Sequence, residues 1–184
     1  LRGPLIIFAS AAETAYAING ELLRFRLSVL ADVLMALADA ALAILLFWMC
    51  RPVSHVLAIS ALVFRLLQSA IIAAGLLNLQ AALLLLQTNG ATANPDLALS
   101  FIKLHAYGYD LGLIFFAVNC FLTATLIVRS CFVPRILGIG IAMSGLIYLV
   151  GSILRFAAPE LHGSVVPAYI VPLIAETAFC LWLL

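Results

Sequence analysis

The chain has 184 residues, 66% of them hydrophobic and 9% charged, with a formal net charge of +1. A soluble domain is about a quarter charged, so the apolar excess must face lipid and the chain reads as a polytopic membrane protein. The near-zero charge argues against a nucleic-acid partner, and no basic cluster marks a patch for acidic lipid headgroups.

The first 26 residues differ from the rest. Their stretch "AAETAYAINGELLRFR" carries Glu13, Glu21, Arg24 and Arg26 and predicts a helix lying at the membrane interface. The opening "LRGPLIIFASAA" is too short, and too polar at its ends, for a signal peptide. The first membrane helix is expected over 27–50. It is nearly all apolar, yet it holds Asp32 and Asp39, seven residues apart. Each carboxylate costs on the order of 2.5–3.5 kcal/mol at the centre of an inserted helix.

A second helix is expected over 55–87, longer than a bilayer needs, so it should tilt or project. "TNGATANPD" (88–96) has the Asn, Gly and Pro of a loop. The third helix spans about 97–128, and "RSCFVPR" (129–135) is a turn with Pro134 placed for the next helix start. The fourth helix covers about 134–156, and "APELHGSVVP" (158–167) is the next break. The fifth covers about 166–184, with Pro172 kinking it or marking its first turns. Period-two alternation is absent, so barrel strands are excluded. The expected fold is an all-α integral membrane protein, a bundle of five transmembrane helices (27–184) plus an N-terminal interfacial segment (1–26). There is no repeat and no second domain.

Arg51, Arg129 and Arg135 occupy two acid-free turns, whereas Asp96 and Glu160 lie in the breaks on the other side. The positive-inside rule makes the first set cytoplasmic, and the C-terminus with it. Cys50, Cys120, Cys131 and Cys180 form no CxxC pair. They read as small buried residues, not as a zinc or disulfide framework.

The phrases "RLSVLADVLMALADAALAILLFWMCRPV", "FRLLQSAIIAAGLLNL", "HAYGYDLGLIFFAVNC" and "RSCFVPRILGIGIAMSGLIYLV" follow one another along the chain. In their motifs and their order the chain resembles the bacterial membrane family named domain of unknown function 4386. The resemblance implies a multi-pass protein of the bacterial inner membrane with six helices, one more at the N-terminus than this chain carries. It implies cytoplasmic termini as well. It brings no activity, substrate or cofactor with it.

A helix rises ~1.5 Å per residue and the hydrocarbon core is ~30 Å thick, so depth can be counted from the loop edges. That count groups the polar residues into two layers. The outer layer is Asp32, His105 and Arg155. The middle layer is Asp39, Arg65, Asp110 and Glu176, with Gln68 beside them. An unpaired Arg at mid-depth is prohibitive, so Arg65 should contact a carboxylate, Asp39 first and Glu176 second. Three acids against one base leave negative charge that a proton or another partner must offset. His105 and Asp110, five residues apart on a helix, point ~140° from each other and do not share a metal. Gly108 and Gly112 would allow close packing there. Gln68, Asn78 and Asn119 read as interhelical glue, at ~0.6 kcal/mol per bond. His55 and His162 read as solvated loop residues. In "GIGIAMSG" (138–145) the glycines lack the context of a phosphate loop, and Gly138, Gly145 and Gly151 read as a packing face.

No nucleophile, metal or nucleotide motif is present, and no cofactor can be named. Three functions stay open. One is a pocket for a small molecule, a lipid or a proton, built on Asp32, Asp39, Arg65, Gln68, His105, Asp110, Arg155 and Glu176. Another is a membrane-embedded enzyme using Asp, Glu and His on a lipid-soluble substrate. The third is a structural subunit whose charges serve packing only. The partners are the bilayer and a lipid or small hydrophobic ligand, with the oligomeric state open.

Overall fold

A computed structural model describes residues 2–87, 94–130 and 132–184. Cys131 and most of the polar break 88–96 lie outside the described residues, which contain helix and no strand. The helices are α1 (Ala11–Gly20), α2 (Leu22–Cys50), α3 (His55–Gln87), α4 (Pro95–Arg129), α5 (Arg135–Ala157), α6 (Pro159–Val165) and α7 (Ile170–Leu183). Short 3₁₀ turns cover Gly3–Leu5 and Val166–Tyr169. Five segments are long and apolar enough to cross a membrane: α2, α3, α4, α5, and the stretch Pro159–Leu183 that includes α6 and α7. Their surfaces carry leucines and isoleucines that water would not tolerate, such as Leu34, Leu77, Ile136, Leu173 and Leu181. These are the lipid-facing positions of an integral membrane protein.

Local chemistry sets the helix ends. Ser10 caps α1, its Oγ accepting from the Glu13 amide at 3.3 Å. The helical run breaks at Gly20 and Glu21, and α2 starts at Leu22, ahead of the expected Leu27. α4 has 35 residues, about 52 Å at 1.5 Å per residue, well beyond the bilayer core. In the last segment Pro159 opens α6, so the expected break 158–167 is largely helical, and Pro167 lies in the 3₁₀ turn that separates α6 from α7.

The chain divides into two compact units. The first comprises Leu1–Ala38 and Ala70–Tyr109. Its core joins Leu5, Ile18 and Phe25 to Leu76, Leu79 and Leu83 of α3 and to Ala98 and Ile102 of α4. The apolar side of the N-terminal segment is therefore turned onto protein, with Ile18 and Phe25 fully enclosed.

The second unit comprises Asp39–Ser69 and Asp110–Leu184. Its cores gather Leu46, Cys120, Ala124, Ile127, Ile141 and Phe179, and separately Cys50, Ala58, Ala61 and Leu126. Glycines bring α5 onto α4. A Cβ at Gly138 would lie 2.9 Å from Ile127 and 3.2 Å from the Ala124 carbonyl oxygen. At Gly145 it would lie 2.9 Å from the Cys120 Cβ and 3.0 Å from the Ala117 carbonyl oxygen. Both pairs keep the same antiparallel register, as small-residue packing between membrane helices requires. Gly151 meets Tyr169 of the 3₁₀ turn, the tyrosine hydroxyl lying where a Cβ would stand. Gly108 opens on empty space, so it supports no close packing. Cys50 and Cys120 are buried, but Cys180 is exposed on α7, contrary to the expectation of burial.

Candidate functional site

In the second unit, Asp39 on α2 faces Arg65 on α3. Arg65 Nε donates to Asp39 Oδ1 at 2.8 Å, and Nη2 donates to the same oxygen. Ser69, one turn further along α3, donates its hydroxyl to Asp39 Oδ2 at 3.0 Å. Both carboxylate oxygens are thus satisfied. The guanidinium also lies 5.1 Å from the centre of the Phe116 ring, within cation–π reach.

Asp110 on α4 is bound by Arg155 on α5, Nε to Oδ2 at 2.8 Å. Arg155 Nη1 lies 3.4 Å from His162 Nε2, and His162 Nδ1 lies 3.1 Å from the Gly151 carbonyl oxygen. A carbonyl only accepts, so Nδ1 carries the proton and Nε2 is the acceptor. This pairing corrects the grouping of Arg155 with Asp32 and His105. Counting depth from the end of α4 fails because that helix is too long for the bilayer. The α4–α5 register set by Gly138 and Gly145 carries Arg155 to the level of Asp110.

Glu176 on α7 has no arginine or lysine in salt-bridge range among the described residues. The Tyr148 side chain hydrogen-bonds its carboxylate, while Glu176 Oε1 is buried with no hydrogen-bond partner among the described residues. Beside it lies a cavity of about 50 Å³, lined by Arg65, Asn119, Cys120, Thr123, Glu176 and Cys180 among others. Asn119 is held by its own bond, Nδ2 to the Ala61 carbonyl at 2.8 Å. Gln68 is buried, and its Oε1 has no hydrogen-bond partner among the described residues. No group of three His, Cys, Asp or Glu among the described residues could hold a metal ion.

The first unit repeats the pattern of Asp110, Arg155 and His162. Asp32 on α2 is bound by Arg2, whose Nη2 lies 2.9 Å from His105 Nε2 on α4. His105 Nδ1 lies 3.1 Å from the Gly75 carbonyl oxygen on α3 and donates to it. Arg2, Ser69 and Tyr148 carry no expectation from the sequence, and His162, which the sequence reads as a solvated loop residue, is instead engaged with Arg155 and Gly151. The signal for Arg2 was a lone cation in an otherwise apolar opening. For Ser69 it was the spacing of four from Arg65.

Apolar spans with exposed leucines, and carboxylates matched to arginines from neighbouring segments, define a polytopic helical membrane protein. The chain belongs to the family described as domain of unknown function DUF4386, which matches residues 1–184. It is similar to an uncharacterized protein of Archaeoglobus fulgidus, 26% identical over 156 residues, covering 85% of this chain and 81% of that protein. No solved structure matches.

Proposed function

We propose that this membrane protein handles protons at Glu176. The observation that carries the reading is the contrast among Asp32, Asp39, Asp110 and Glu176, the span carboxylates that are not exposed. Asp32, Asp39 and Asp110 each have an arginine. Among the described residues Glu176 has none, and it borders the cavity with a buried oxygen that no described residue bonds. A buried carboxylate without a cation needs a proton or a small cation to be neutral. By the same measure of volume a water needs about 10–15 Å³, so the cavity suits a few waters and not a lipid. The three Asp–Arg pairs are read as structural, which leaves Glu176 as the exchanging group and Arg65 as a fixed positive charge near it.

Infrared difference spectroscopy on the protein in lipid vesicles tests this. A step in external pH is expected to change a carboxyl band, and Glu176→Gln is expected to remove that change while the helical content stays. An unchanged band in Glu176→Gln, or no carboxyl change in the native protein, contradicts the reading.

The proposed location is the bacterial plasma membrane with a cytoplasmic C-terminus. The Arg51 guanidinium lies 3.8 Å from the centre of the Trp48 ring. Such a cation–aromatic pair suits a headgroup-level turn. A membrane-impermeant thiol reagent applied outside is expected to leave Pro52→Cys and Val133→Cys unlabelled in a cysteine-free background. Labelling of both would reverse the topology.

A further inference from the structure

We propose that Tyr169 and Tyr148 are the proton route to Glu176, with Gly151 as the opening that admits the Tyr169 hydroxyl. The inference rests on the assignment of Glu176 as the proton-exchanging group. All the residues involved belong to the second unit.

The route is built step by step. Tyr148 on α5 hydrogen-bonds Glu176. Its ring centre lies 5.8 Å from that of Tyr169, at the end of the 3₁₀ turn, and 5.6 Å from Phe116, which walls the cavity. The Tyr169 hydroxyl sits against Gly151, where any Cβ would strike it. Glycine there is a requirement of space, not of backbone conformation. The Gly151 carbonyl accepts from His162 Nδ1, so it is anchored to α6. Glu160, Gly163 and Ser164 beside His162 are exposed. His162 of the polar break 158–167 and the Tyr169 hydroxyl thus both meet α5 at Gly151. The titratable and charged groups around Glu176 are Arg65 on α3, Asp39 on α2, Cys120 on α4, Tyr148 on α5 and Cys180 on α7 itself.

The chemistry balances. A tyrosine hydroxyl donates and accepts at one oxygen. As Tyr148 passes its proton to a Glu176 carboxylate oxygen, its own O–H bond breaks and is remade with a proton from Tyr169, directly or through one water. Tyr169 is replenished from a hydronium in the water at the exposed residues of α6. One proton leaves the water and one O–H bond forms on Glu176, with both tyrosines unchanged.

The test separates rate from extent, using the full chain in vesicles and the carboxyl band after a rapid pH step. Tyr148→Phe and Tyr169→Phe keep the rings and remove the hydroxyls. Gly151→Ala keeps every hydroxyl but displaces that of Tyr169, a flexible side-chain end that can yield without unfolding the helix. Each is expected to slow the Glu176 signal roughly 10²-fold, the lower end of what a positioned proton-transfer group contributes. The final extent in Tyr169→Phe and Gly151→Ala should still be reached. A purely structural role would lower the extent and leave the rate. Unchanged rates in Tyr169→Phe and Gly151→Ala overturn the route while Glu176 stands. A native protein with no Glu176-dependent signal overturns both.

Discussion

Arg65→Ala is expected to destabilise the protein by about 3–5 kcal/mol, the usual cost of stripping one partner from a buried ion pair. The loss is asymmetric. Asp39 would keep only the Ser69 hydroxyl on Oδ2, and Oδ1 would face no donor. The pair is well shielded, with side chains only 12% and 17% exposed, so water cannot easily replace the guanidinium. The double variant Asp39→Asn, Arg65→Met removes both charges and is expected to recover most of the loss. Reversible unfolding in mixed detergent micelles, run as a double-mutant cycle, reads the coupling directly. A cost below about 1 kcal/mol for Arg65→Ala, the scale of an exposed pair, would show that Asp39 does not depend on Arg65.

Gly145→Leu is expected to be as severe, for a reason of volume. The first added carbon would already lie 2.9 Å from the Cys120 Cβ and 3.0 Å from the Ala117 carbonyl oxygen. Neither is a flexible side-chain end, so α5 must move off α4. Overpacking of this kind costs about 1–3 kcal/mol and occasionally more. Here the Asp110–Arg155 bond depends on the same register, so its loss adds to the cost. Gly108→Ala is the control. Its Cβ would meet nothing within 4 Å, and alanine is the better helix former. Unfolding midpoints in the same detergent series should fall for Gly145→Leu and hold or rise for Gly108→Ala. Equal midpoints for Gly145→Leu and the native chain would mean that α4 and α5 are not in close contact.

The membrane spans were legible because apolar run length alone marks them, whatever the packing. The need of Arg65 for an acid was legible from cost, and Asp39 is the acid it meets. The partner of Arg155 was not. Counting 1.5 Å per residue assumes a helix that begins at the membrane edge, and α4, at 35 residues, does not fit inside the bilayer. Arg2 was not legible either, because a single cation in an irregular stretch carries no periodicity. His162 read as a loop residue because Pro, Gly and Ser surround it, yet they enclose a seven-residue helix that turns its ring to Arg155. The Gly151 contact with Tyr169 depends on the 3₁₀ turn, which no hydropathy pattern announces.

Asp39 and Arg65 lie on helices joined by the turn 51–54, and Asp110 and Arg155 lie on the next such pair, α4 and α5. Opposite charges that must enter the membrane are therefore neighbours in the order of synthesis. Inserted alone, α2 or α3 would carry an uncompensated charge into lipid. Threaded as a hairpin, the two charges can meet before either is stripped of water. For these two pairs, a short turn that holds the acid beside its base would favour insertion as a unit of two helices.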